Sequence, residues 1–175
     1  MRYCRLRVNE GKSAVASPTK RKFLGYSFYY KKGTYRLRVH PKSLNRLKDK
    51  VREVTNRNVS MNFETRLKKL IEKTRGWVNY FKLADMSKSL TAMDGWIRRR
   101  LRACIWKTWK KIRTRFTSLN KLGIERNKAW EFANTRKGYW RISNSPIMQR
   151  SITNERLEKR GYVSMSTMYK KVILA

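Results

Sequence analysis

From Leu90 to Phe116 the apolar residues Leu90, Met93, Ile97, Leu101, Ile105, Trp109, Ile112 and Phe116 fall at steps of three or four. That spacing lines one face of an α-helix, and no proline interrupts it. A stripe of this length has to be buried against other elements, so it commits the chain to a helical core. The face away from the stripe carries Arg98, Arg99, Arg100, Arg102, Lys107, Lys110, Lys111, Arg113 and Arg115. Acids are nearly absent beyond Asp94. A solvated helix normally mixes both signs for solubility. The expectation is therefore one long helix, apolar on one side and basic on the other.

The imbalance extends to the whole chain. Of 175 residues, 45 are Lys or Arg and 11 are Asp or Glu, a formal net charge of +34. Charge of this density repels itself in a compact state and calls for a polyanion, of which a phosphate backbone is the obvious example. Apolar residues still make up 40%, enough for a real core. Trp77, Tyr80, Trp96, Trp106, Trp109, Trp130, Tyr139 and Trp140 are interleaved with the cations. Aromatics placed so can stack on bases. Trp109 lies on the apolar stripe and belongs to the core, and Trp96 and Trp106 are expected there too.

Several chemistries are excluded. The single histidine, His40, precedes Pro41 and suits a structural role. Cys4 and Cys104 are far apart and have no CxxC partner, which leaves no zinc site and no disulfide framework. The carboxylates are scattered, whereas two-metal phosphoryl chemistry needs them clustered. There is no Gly-rich phosphate loop. No apolar run approaches the ~20 residues of a membrane span, and the N-terminus lacks the apolar stretch of a signal peptide. The chain reads as cytoplasmic.

Along the chain, residues 1–40 read as β. Tyr3–Val8 and Lys12–Ala16 are expected strands. Phe23–Tyr30 and the alternating Thr34–His40 form a hairpin across Lys31-Lys32-Gly33. Pro41 then opens a first helix, with Leu44, Leu47, Val51 and Val54 at helical spacing. Asn62 is placed to cap a second, and Asp85 or Ser87 a third. After Leu119 the pattern loosens into a helix over 121–135, a break at Lys137–Trp140, and short helices at Pro146–Arg150 and Thr153–Arg160, with Gly161 ending the last.

Five segments occur in a telling order: Asn9-Glu-Gly-Lys-Ser13, Phe23-Leu-Gly-Tyr26, Arg75-Gly-Trp-Val-Asn-Tyr-Phe81, Leu90 through Lys111 with its Asp94-Gly-Trp-Ile-Arg-Arg-Arg-Leu-Arg run, and Gly138-Tyr-Trp-Arg141. Together they resemble the C-terminal half of bacterial group II intron reverse transcriptase/maturases. The resemblance implies an α+β fold, mostly α, in three parts. Residues 1–40 would be a remnant of the polymerase palm, 41–116 the α-helical thumb or maturase-specific domain, and 117–175 a small DNA-binding region. Lys12 would lie near the incoming triphosphate, and Leu24, Gly25 and Tyr26 in the hairpin that grips a primer. No Cys- or His-rich stretch follows, as in the shorter, endonuclease-free members.

The family's Tyr-Ala-Asp-Asp and its partner Asp have no counterpart here, so this chain is not expected to polymerise DNA. Its expected role is to bind structured group II intron RNA and assist splicing. In an intact parent, with Mg2+, the same region would hold primer–template. Two alternatives are a C-terminal piece completed by a separate palm-and-fingers polypeptide, and a nonspecific or inactive basic product. Met1 falls within what would be a continuous palm, which favours truncation. The cations expected to contact nucleic acid are those of the third helix together with Arg66, Lys68, Lys69, Lys73 and Arg75 of the second. Intron RNA is the expected partner, a DNA target the further one, and no cofactor is expected in this chain.

Overall fold

The computed structural model describes residues 16–174. The readings for Tyr3–Val8, Lys12 and Cys4 fall outside that range, as does most of Lys12–Ala16.

The hairpin forms where the pattern places it. β1 (Tyr26–Lys31) pairs antiparallel with β2 (Thr34–Val39), in a register from Tyr26 opposite Val39 to Lys31 opposite Thr34. Lys32 (φ 48°) and Gly33 (φ 78°) make the two-residue turn, both left-handed as the tight hairpin turn demands. Val39 is buried and Leu37 half-buried, while Arg36 and Arg38 face outward, as the alternation requires. The hairpin is tied down by the segment that leads into the third helix: the Asp85 N–H donates to the Leu37 carbonyl at 2.8 Å, and the Tyr29 hydroxyl donates to the Asp85 carboxylate at 2.6 Å. Asp85 is thus spent on the hairpin. It does not cap the third helix, which has no side-chain cap at all.

Helices dominate the rest. α1 (Pro41–Val54) starts at the proline, with the His40 ring accepting the Lys42 N–H at 3.1 Å. α2 (Phe63–Tyr80) is capped by Asn62 as expected and runs through Gly76 without interruption. α3 (Ser87–Thr108) is the longest element. α4 (Ile112–Lys121), α5 (Arg126–Ala133), α6 (Tyr139–Ile142), α7 (Pro146–Ser151), α8 (Asn154–Lys159) and α9 (Met165–Leu174) follow. The mixed, mostly helical class expected from sequence is the one observed.

Two boundaries differ from the pattern. The stripe that continues to Phe116 is not one helix: α3 stops at Thr108, and α4 begins at Ile112. Lys107, Lys110 and Lys111 would sit one turn apart in a continued helix, and like charges at that spacing oppose it. The freed Trp109 carbonyl accepts the Arg115 Nε–H at 3.0 Å. The helix expected over 121–135 is shorter for a similar local reason. Gly123 takes a left-handed turn (φ 85°), and α5 starts only at Arg126. The C-terminal helix α9 lies beyond Gly161, where no element was expected, although Met165, Met168, Tyr169 and Val172 keep helical spacing.

α3 is the axis of the core. Six consecutive residues, Leu101 to Trp106, are buried, so at this level the helix is enclosed on every side. α9 and α6 pack on it, α2 packs on both α1 and α9, and α4 packs on α5. Leu47, Val51, Leu70, Ile97, Leu101, Leu119, Met148, Leu157 and Met165 belong to one continuous cluster. Trp106 is 1% exposed and fully core, as expected.

A single carboxylate joins α3 to the C-terminal helix. Asp94, 2% exposed, accepts the Met165 N–H at 2.8 Å, the Ser166 N–H at 3.0 Å, the Ser166 hydroxyl at 2.6 Å and the Tyr162 hydroxyl at 3.0 Å. It serves as the N-terminal cap of α9 from another helix. Burial, and then the adjacent carboxylate, raises the Tyr162 phenol above its ordinary range. Replacing Asp94 with Ala orphans these buried donors and should cost roughly 2–4 kcal/mol of unfolding free energy. The matching readout is hydrogen exchange: the α9 amides should lose protection before those of the β1–β2 hairpin.

Candidate nucleic-acid interface

The segment entering β1 is built for close approach. Leu24 (φ 48°) and Gly25 (φ 87°) are both left-handed. A Cβ on Gly25 would sit 2.9 Å from the Phe81 ring and 3.0 Å from Ser43 Oγ, so the position admits only glycine. The Gly25 carbonyl accepts the His40 N–H at 2.9 Å and the Ser43 hydroxyl at 3.0 Å. The Tyr80 hydroxyl donates to the Leu24 carbonyl at 3.0 Å, and the Tyr26 hydroxyl donates to the Tyr80 carbonyl. Burial, then the neighbouring Tyr80, raises the Tyr26 phenol above its usual range.

These bonds hold the base of the hairpin open against α1 and α2. Between them lies a cleft of ~480 Å3. Lys22, Arg46 and Lys50 bring exposed cations to it, and Leu24, Trp77 and Tyr80 bring apolar and aromatic surface. None of the three cations is in an ion pair with a described residue. Cations beside aromatic faces are the chemistry of a groove that follows a sugar–phosphate strand. Of the residues expected in the hairpin, Leu24 and Gly25 line this cleft, and Tyr26 supports it from the side. The sequence reading missed Lys22, Arg46 and Lys50. The signal was present, because Lys42, Arg46 and Lys50 recur every four residues on the polar face of α1.

The third helix does not present the open basic face that its sequence suggests. Arg102 is 8% exposed, and its Nε–H donates to the Ile152 carbonyl at 2.9 Å. Arg100 is half-buried, with Nε donating to Thr55 Oγ1. Burial, then the nearby Arg52 and Arg57 against a partial offset from Cys104, pulls the Arg100 guanidinium below its ordinary range. Arg99 stacks on Trp140 with 3.8 Å between the guanidinium carbon and the ring centroid, and donates to the Trp140 carbonyl at 2.8 Å. Its Nε is buried without a partner among the described residues. Arg98 is half-buried.

The physical reason is that α3 is surrounded, so its polar side becomes packing surface against the linker after α1 and against α6–α8. Arg57 and Lys107 bracket Tyr139 at 5.1 and 5.0 Å from its centroid. With Asn56, Arg57, Asn58 and Arg100 beside Trp140, a small polar pocket of ~140 Å3 remains there. Trp96, expected in the core, is half-buried and sits between Arg52 and Arg100 at 5.7 and 5.2 Å.

The other expected residues divide cleanly. Lys110, Lys111 and Arg113 are exposed, but on the turn after α3 and the start of α4. In α2, Lys68, Lys69 and Arg75 are exposed, and Lys73 pairs with Glu53 at 3.0 Å. Arg66 is the clearest correction. It is 4% exposed and donates to the carbonyls of Val54, Asn56 and Val59. It holds the C-terminal end of α1 and offers nothing to a ligand.

Among the described residues no three His, Cys, Asp or Glu side chains come together as metal ligands, and no helix is long and apolar enough to cross a membrane. What the fold and its clefts describe is a basic, helical module whose open surfaces pair cations with aromatic rings. The family model for the group II intron, maturase-specific domain matches residues 44–123, from α1 to the turn after α4. Over that stretch, a little under half of its length, the chain is similar to a group II intron maturase-specific domain. No curated protein matches the chain.

His40 gives the site a pH dependence that can be read alone, since it is the only histidine. Its ring accepts the Lys42 N–H and so must be neutral. Burial, then Lys22, Lys42 and Arg38, holds its pKa below the ordinary value. The unfolded chain therefore takes up this proton first as pH falls. The stabilisation is complete above the ordinary histidine range and is lost as pH drops through it. The melting temperature should fall between pH 7.5 and 5.5, and His40→Ser, which keeps an N-cap without a titrating group, should flatten that change.

Proposed function

We propose that this chain binds structured group II intron RNA and assists its splicing, with no bond chemistry of its own. The observation that carries the reading is the maturase-specific domain at residues 44–123, whose first two helices supply Arg46, Lys50, Trp77 and Tyr80 to the cation-and-aromatic cleft. RNA folds into a catalyst only when its phosphates are brought close together, and a rigid set of cations lowers that repulsion. In this reading the cleft takes a strand along its sugar–phosphate edge, and the exposed Lys68, Lys69, Arg75, Lys110, Lys111 and Arg113 widen the contact. In a longer parent protein the same cleft would hold primer–template during reverse transcription. Mg2+, a DNA target and a palm-and-fingers polypeptide belong to that parent activity.

The test is binding to a folded group II intron RNA against a scrambled RNA of equal length at ~200 mM salt, where contacts made by charge alone have weakened by orders of magnitude. A clear preference for the folded intron is expected, and equal binding overturns the reading. Arg46→Ala with Lys50→Ala should lower the slope of log affinity against log salt by about two, one for each phosphate contact removed. Arg102→Ala should instead lower the melting temperature, because its guanidinium ties α3 to the Ile152 carbonyl and the Asn154 side-chain oxygen.

A further inference from the structure

A second sizeable cavity lies away from the hairpin cleft and has a different character. About 680 Å3 in volume, it opens between the loop before α2, the ends of α3 and α4, and the α7–α8 corner. Buried Ile105 and Ile152 and half-buried Phe63, Trp109 and Leu122 give it an apolar lining. Four exposed cations, Lys121, Arg156, Lys159 and Arg160, complete it, and no carboxylate lines it among the described residues. Arg160 lies over the Phe63 ring at 5.4 Å from the centroid, and Arg156 is fixed by donating to the Leu122 carbonyl at 2.8 Å. The Ser118 hydroxyl and the Asn62 amide nitrogen, also in the lining, donate to no other described residue.

Each part restricts the ligand. Cations of one sign with no counter-ion call for an anion. An apolar, partly aromatic lining disfavours a bare hydrated phosphate, which has no surface to bury there. A flat body carrying phosphate satisfies both, and the volume lies within the ~300–1,000 Å3 of ordinary small-ligand pockets. A base stacked within a duplex cannot enter such a cavity, whereas an unpaired base swung out of its stack can. We propose that this cavity takes one unpaired nucleotide of a bound RNA. Its base lies against Phe63 and Trp109, its edge meets Asn62 and Ser118, and its flanking phosphates meet Lys121, Lys159 and Arg160. The inference rests on the reading that the polyanion is RNA, and adds to it a means of choosing a site by RNA shape.

The probe is an RNA duplex carrying a single bulged 2-aminopurine, compared with the same duplex fully paired, at ~200 mM salt. The bulged duplex should bind about tenfold more tightly, the order of one stacked base, and the fluorescence of the 2-aminopurine should change on binding. Ser118→Trp fills the cavity and should remove the preference while leaving the paired duplex bound as before. Lys159→Glu, an exposed change that does not touch the core, should reduce bulged-duplex affinity several-fold more than paired. Equal affinity for the two duplexes overturns the proposal. So does a preference that survives both substitutions, or displacement of the bulged base by an acidic amphipathic peptide where unlabelled bulged RNA fails to displace it. Loss of the bulge preference with the folded-intron preference intact refutes the pocket alone. The converse result refutes the intron reading and leaves the pocket standing.

Discussion

With about four basic side chains for every acidic one, this protein leaves its buried cations, Arg66 and Arg102, without carboxylate partners among the described residues, and holds them by other means. Only three ion pairs occur among the described residues, all at the surface or near it. Several guanidiniums, from buried Arg66 and Arg102 to half-buried Arg115 and exposed Arg156, are held by carbonyl oxygens at or near helix ends. Arg66 takes those that follow α1, and Arg102 the Ile152 carbonyl just past α7. Arg115 takes that of Trp109 after α3, and Arg156 those of Leu122 after α4 and Ser151 ending α7. A helix C-terminus offers unpaired carbonyls and the negative end of the dipole, so it is a natural seat for a cation. Arginine suits the task better than lysine, because its planar fork reaches two or three oxygens at once. The connections between short helices are tied down by this means, and Asp94, the one buried acid among the described residues, does the complementary work at a helix N-terminus.

The local features of the fold were legible in the sequence. Lys32-Gly33 announced the hairpin turn, Pro41 the start of α1, and Asn62 the cap of α2, because each acts through its own backbone geometry. The termination of α3 was not legible from the apolar stripe, since the stripe continues in register across a break made by crowded lysines. α9 was missed although Ser164 caps it locally, its Oγ accepting the Thr167 N–H at 3.1 Å; the second cap, Asp94, is far away in sequence.

The candidate site was legible to a lesser degree. A helical wheel shows which arginines share a face, yet whether that face meets solvent or the C-terminal end of another helix depends on tertiary packing. For Arg66 and Arg102 the packing decides, and both lie inside. For Leu24 and Gly25 the resemblance pointed to a turn that lines the cleft, while Lys22, Arg46 and Lys50 became visible only when α1 was seen beside it.

A carbonyl satisfies the hydrogen bonds of a guanidinium without cancelling its charge, and this has a consequence at long range. A carboxylate partner would leave a neutral pair; a dipole leaves a full positive monopole a few ångströms beneath the surface. Arg66 and Arg102, bound to internal oxygens, therefore still add to the positive potential outside the protein, over the ~8–10 Å that physiological salt allows. In the proposed reading the interior of the protein would take part in capture, and the arginines that hold the fold together would also raise the rate at which RNA arrives.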